Sequence, residues 1–391
     1  NMVHDAASIF NQSGGDILVD GNEGGVAANS VASGVAIVQL NSQFINWTGG
    51  ALTILDPHAN TTASNTLAFN NSTAHVNVPN THTLKLGDGV STDAGGNATN
   101  GFRLSTFVGS RRISFGNLEV NTTGGTNRQV TTASNIGFNG NVTIEPSSEV
   151  VFGTSYVAGN IVNNGTFTST AVLGLASYTD GTVSATTNAQ TIGGTGVYRN
   201  SAATPTASLT SLTVNNTNAT GVTLNIPLSV SGTLTMTSGI INTTNANLLT
   251  LGTATAGGTL AGTPSATSMV RGPFARTISN GNANTNYLLF PVGKVAYAPI
   301  WAAPATTAAT VMKAETFDTN TGTQSAAITN MATNRRWELP LVSGTITDIN
   351  VRVGDAGILA TSIPVQAPSA SAEYTSAFGS VATVVVGTST E

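Results

Sequence analysis

The stretch from Leu209 to Leu251, LTSLTVNNTNATGVTLNIPLSVSGTLTMTSGIINTTNANLLTL, decides the fold class. Its apolar residues fall in short runs: Leu212 and Val214; Val222, Leu224 and Ile226; Leu228 and Val230; Leu234 and Met236; Leu249 and Leu251. Within each run they alternate with other residues, most often Thr, Ser or Asn. A period of two sends successive side chains to opposite faces of a strand. Gly221, Gly232 and Gly239, with clusters of Asn, interrupt the runs every few residues. Strands this short cannot bury an apolar face alone, but many stacked in register can. The stretch reads as successive turns of a β-solenoid.

Worn copies of the same pattern lie upstream. A glycine, a small or polar residue and then alternating apolar positions recur at Gly15–Val19, Gly50–Ile54, Gly116–Val120, Gly140–Ile144 and Gly159–Val162, and again at Gly232–Met236. Copies in the middle of the chain are about 20 residues apart, a spacing typical of repeat arrays. One turn of three short strands and three corners needs about that many residues. The fold class is therefore all-β, with a parallel β-helix over residues 1–269. A tandem array of β-sandwiches is the competing arrangement. From Val270 the chain gains Pro, Arg and aromatic residues, and alternating runs are separated by turn signals. Residues 270–391 read as a β-sandwich-like domain. Within it, Ala302–Thr310 reads as a surface loop and Ala326–Arg336 as a short helix.

Composition narrows the function. Of 391 residues 40% are hydrophobic, enough for a large core, and only 8% are charged, against about a quarter in ordinary soluble domains. Solubility then rests on Thr, Ser, Asn and Gly. Thr fits a pleated surface and Asn fits corners. The formal net charge is −5 and the few basic residues are scattered, so the footprint that nucleic acid demands is missing. No apolar run reaches the ~18–20 residues of a membrane-spanning helix. The chain has no cysteine, which leaves its redox compartment open. It opens NMVHDAASIF, without a basic or apolar leader, and so reads as a fragment or a processed form.

Candidate chemistry is sparse. A glycosidase needs two carboxyl groups facing each other, yet between Ser155 and Ala314 the sole acid is Asp180. The acids that do cluster are Glu145 and Glu149, together with two further groups, Asp16, Asp20 and Glu23, then Asp88 and Asp93. The two further groups are the weak candidates for calcium, which takes several oxygen ligands; no other cofactor is expected. Polar corner residues are the plainer reading of all three groups. His75 and His82 fall in adjacent predicted strands and read as stacked surface histidines, since zinc would need further ligands at fixed geometry. Trp337 alternates with Leu339 and Leu341 and reads as core. The C-terminal run Val381–Val386, with Val381, Val384, Val385 and Val386, is β-prone and uncharged. It reads as a strand that docks on a sheet edge, its own or that of another copy.

The residues Ser231–Gly252 (SGTLTMTSGIINTTNANLLTLG), Met269–Arg276 (MVRGPFAR), Tyr287–Pro299 (YLLFPVGKVAYAP) and Asn334–Leu339 (NRRWEL) occur in this order. In that order they resemble the large secreted β-helical surface proteins of Bacteroidota. The resemblance covers about the last half of the chain. It implies an adhesin or surface-layer component exported by the type IX secretion pathway across the outer membrane. The sorting domain usual in that family is not recognisable here.

The expected function is a non-enzymatic, secreted cell-surface structural or adhesive protein. Its β-solenoid stalk would present many weak contacts, and it would self-assemble or form part of a larger adhesin. Expected partners are other copies or other surface proteins, glycans and the outer-membrane secretion machinery. A polysaccharide-binding or polysaccharide-degrading β-helix protein is the first alternative. A secretion substrate captured with its translocon is the second.

Overall fold

The computed structural model describes residues 2–4, 9–20, 36–41, 44–57, 66–69, 76–90, 101–104, 107–108, 111–123, 129–132, 135–201, 206–328, 331, 334–355, 365–367, 371–374, 376–377 and 385–386. These residues form strands and turns with no helix, and so the fold is all-β. No helix among them is long and apolar enough to cross a membrane. The chain divides into two compact units, Asn1–Thr220 and Gly221–Glu391.

The first unit is built from three parallel sheets that the chain visits in a fixed rotation. From residue 130 onward the order is Val130–Thr132 in the first sheet, Ile136–Phe138 in the third and Val142–Ile144 in the second. The cycle then repeats with Glu149–Phe152, Ser155–Val157 and Ile161–Asn163, and again with Thr166–Ser169, Val172–Leu175 and Gln190–Gly193. Each strand pairs in parallel with the strand one cycle earlier.

Five glycine-led repeats of the sequence occupy equivalent positions in the second sheet. Ile17, Leu52, Leu84, Leu118, Val142, Ile161 and Ile192 stand in one continuous register. From Leu52 onward this column is fully buried. Each such side chain contributes about 1.5–3 kcal/mol by leaving water. The sixth copy, Gly232–Met236, lies elsewhere, in the long strand Leu228–Ser238 of the second unit.

Aromatic rings run through the core of the first unit. Phe115 lies 6.3 Å from Phe138, Phe138 5.7 Å from Phe152, Phe152 5.7 Å from Phe167 and Phe167 5.6 Å from Tyr198. These separations are those of favourable stacked and edge contacts. Outside the third sheet, the antiparallel hairpin Ser177–Thr179 to Thr182–Ser184 folds back through the Asp180-Gly181 turn, both residues with positive φ. It sets Tyr178 against Tyr156, centroids 4.8 Å apart. A Cβ at Gly137 would stand 2.8 Å from the Tyr178 ring, so only glycine leaves room there.

In the second unit Val222–Leu224, Ile241–Asn242, Val270–Arg271 and Val292–Gly293 continue in parallel. The pairing changes direction at Phe274–Ile278. That strand runs parallel to Leu249–Leu251 and antiparallel to Thr310–Phe317. Beyond it Leu288–Phe290, Ile300–Thr306 and Ile346–Asp355 are all antiparallel.

Two sequence expectations are corrected here. Ala302–Thr310 is not a surface loop: Ala302 and Ala303 are buried within Ile300–Thr306. Alanine fits a crowded inner strand but carries too little apolar bulk to reveal itself by alternation. Ala326–Arg336 is not a helix: its described residues are a turn at Ala326-Ala327, irregular segments and the start of the strand Arg336–Glu338. Gly322 and the strand pair of Thr323–Gln324 with Glu373–Tyr374 set the chain on an extended path instead.

Candidate functional site

The carboxylates proposed from sequence stand apart from one another in register. Asp16 is exposed on Ile9–Val19, opposite Ala51. Asp20 is exposed just past the same strand. Asp88 is exposed in the turn after His82–Leu86, and its Oδ1 accepts from the Val90 N–H at 2.9 Å. That bond closes a local turn of the kind Asp favours. Glu23 and Asp93 lie outside the described residues. Among the described residues no three His, Cys, Asp or Glu side chains come together as a metal site.

Val385–Val386 form a strand parallel to Gly354–Asp355 on the edge of an otherwise antiparallel sheet. Val381 and Val384 lie outside the described residues, as does His75. Trp337 is half-buried, and its Nε1–H donates to the Ala298 carbonyl at 3.0 Å.

The regular feature of the first unit is a ladder of asparagines where the chain enters the second sheet. Asn117 Oδ1 accepts from the Asn141 N–H at 2.9 Å. Asn141 Oδ1 accepts from the Asn160 N–H, and Asn160 Oδ1 from the Thr191 N–H, both at 2.8 Å. One amide per turn thus satisfies the backbone donor of the next. Below this ladder the outward faces carry rows in register. One is Arg103, Thr131, Val151, Thr168 and Arg199 on the first sheet. Another is Lys85, Glu119, Thr143 and Val162 on the second, with Lys85 and Glu119 paired at 3.3 Å.

A polar cluster sits inside the first unit. His82 is not a surface histidine: it is fully buried, and its ring stacks on Trp47 with centroids 4.7 Å apart and planes within 10°. Its Nε2 meets Gln12 Oε1 at 3.1 Å. The Gln12 Nε2 donates to the Gly15 and Ala51 carbonyls at 3.0 and 2.8 Å. With both amide hydrogens committed, the amide orientation is fixed, so His82 carries its proton on Nε2 and leaves Nδ1 a bare acceptor. Burial pulls its pKa down to about 4.

The second unit concentrates charge that the sequence scatters. Arg335 pairs with both Asp318 and Asp355, Lys294 with Glu315 at 2.6 Å, and Arg336 with Glu338 at 3.0 Å. Arg336 also lies 3.8 Å from the centre of the Phe317 ring. These charges largely neutralise one another, as in a fastening rather than a reactive centre. The basic pair Arg335-Arg336 is the signal that points here.

The motif segments of the second unit pack together. Val270 is in register with Val292, and Phe274 meets Phe290 edge-on at 6.2 Å. The Arg276 Nη1–H donates to the Leu289 carbonyl at 2.7 Å, and its Nη2–H to Gly258 at 3.2 Å. Burial lowers the Arg276 pKa to about 10. Trp337 completes the group through Ala298.

No family model, curated protein or solved structure matches this chain.

Proposed function

We propose that this protein is a non-enzymatic structural or adhesive component of a cell surface, its first unit a parallel β-helix that acts as a stalk. The observation that carries this reading is the asparagine ladder Asn117–Asn141–Asn160, which repeats the same outward chemistry once per turn. A surface repeated at a fixed interval presents many equal, weak contacts. Linked contacts of that kind bind by avidity rather than by any one strong site. The rows in register on the outward faces supply such contacts, among them the paired Lys85 and Glu119.

In this reading the protein groups with the secreted Bacteroidota surface proteins that the type IX pathway exports, and Gly221–Glu391 ends in a β-sandwich-like domain. Support comes from the contacts among the motif residues Val270, Phe274, Arg276, Phe290 and Trp337, which make one packed group of segments far apart in sequence. The partners are then glycans or other copies.

The test is electron microscopy of the purified chain together with binding to a glycan panel, measured for the free chain and for the chain displayed on beads. The expected result is elongated particles and binding that strengthens sharply on display. Compact particles, or steady turnover of a polysaccharide by the free chain, would overturn the reading.

A further inference from the structure

Among the described strands Ile9–Val19 stands last in its sheet and pairs with Phe44–Ile54 alone. Its register breaks twice, between Gln12 and Ser13 and between Ser13 and Asp16. The Gln12 side chain spans that break, holding Gly15 of its own strand and Ala51 of the next. His82, one strand further on, holds the remaining oxygen of the amide. Trp47, level with Gln12 in register, closes the group from the side. Three buried side chains from three successive strands thus fasten the sheet where its register breaks.

Protonation would place a charge and a new N–H on a ring whose Nδ1 has no hydrogen-bond partner. Around Trp47 and His82 stand Phe10, Phe69 and Phe115. The charged groups on the neighbouring strands face away. Asp16 is exposed on Ile9–Val19, while Lys85 and Glu119 pair with each other on the outward face. Phe44–Ile54 carries no charged residue, and Asp56 is buried two residues past its end. Leu67–Phe69 and Ser114–Phe115 carry none. No described group hydrogen-bonds Nδ1 as it stands. The Trp47 face offers cation–π attraction, set against the loss of water around a full charge.

We propose that Gln12, Trp47 and His82 form an acid-sensitive clasp, which on protonation of the His82 ring releases Ile9–Val19 from Phe44–Ile54 while the later strands of the unit stay paired. The release would expose the backbone donors and acceptors through which Ile9–Val19 pairs with Phe44–Ile54. It would thereby couple the pairing of this strand to the acidity of the medium.

The experiment is amide hydrogen exchange, expressed as protection factors, on the whole chain between pH 7 and 4.5, for the native protein and for His82→Phe. Protection over Ile9–Val19 is expected to fall by up to about tenfold per pH unit below about 6.5. Protection over Val142–Asn163 should hold, and the His82→Phe chain should lose the pH dependence. A nitrogen NMR titration of the native protein serves if that variant does not fold, since His82 should then stay neutral well below the other histidines. A His82 that titrates near the ordinary histidine value of about 6.5 would overturn the proposal. So would an unchanged pH dependence in His82→Phe, or equal loss of protection across residues 136–200.

Discussion

The side chain of Asn141 receives the backbone N–H of Asn160 at 2.8 Å, across a separation of 19 residues. The two are equivalent positions of successive turns, since Val142 and Ile161 pair directly after them. Replacing Asn141 by Ala removes the acceptor, but the site is exposed and water can substitute. The expected loss is about 0.5–1 kcal/mol, read as a lower urea midpoint at constant m-value. A loss several times larger would mean that the ladder is cooperative along its length.

Phe138 stands between Phe115 and Phe152 in the buried aromatic column. Phe138→Ala should cost about 3–5 kcal/mol, from the lost burial of the ring together with the cavity left between two others. Phe138→Leu should recover most of it. Chemical denaturation checks both, and equal losses for the two variants would contradict the packing argument.

Arg335 serves two acids at once, Asp318 and Asp355. Arg335→Met leaves both carboxylates with less compensation in a largely buried setting, at an expected cost of about 3 kcal/mol. Adding Asp355→Asn to that variant should restore part of the loss. Thermal unfolding of the single and double variants measures it, and simple additivity would argue against a shared network.

The buried His82 gives global stability a defined pH dependence. Unfolded, a histidine takes up its proton near pH 6.5; folded, His82 does so only near pH 4. Between those values the unfolded chain binds more protons, so stability falls as pH falls. Its contribution is complete above about pH 6.5 and gone below about pH 4. The difference amounts to about 3 kcal/mol, since each pH unit separating the folded from the unfolded value is worth about 1.4 kcal/mol. Urea unfolding at pH 7 and pH 5, in native and His82→Phe chains, isolates this share from that of the carboxylates.

The second sheet was the most legible part of this sequence, because its strands open on glycine and then alternate strictly. Ile17, Leu52, Leu118, Val142 and Ile161 each sit two residues after such a glycine, and they share one register. The first sheet lacks a marker of that kind: Glu149–Phe152 and Thr166–Ser169 begin on different residue types. Ala302 and Ala303 escaped notice because methyl groups carry little hydrophobic signal even when fully buried. The ionic fastening of the second unit was hidden by distance. Asp318, Arg335 and Asp355 meet only because the strands between them run antiparallel. The His82 cluster was invisible for a related reason: nothing local to HTLKL announces a glutamine seventy positions earlier.

The constant register of the first unit has a consequence for how such a chain can change length. Asn141 and Asn160 are equivalent seats on adjacent turns, as are Val142 and Ile161. Excising residues 141–159 would therefore rejoin the polypeptide at like positions, with Thr166–Ser169 taking the place of Glu149–Phe152. Duplicating the same segment would add one more rung. Where Phe274–Ile278 meets Thr310–Phe317 the strand direction reverses, and a splice across that pair does not preserve the pairing. Genes of this design can grow or shrink by whole turns ahead of that point, while the distal segment is inherited intact.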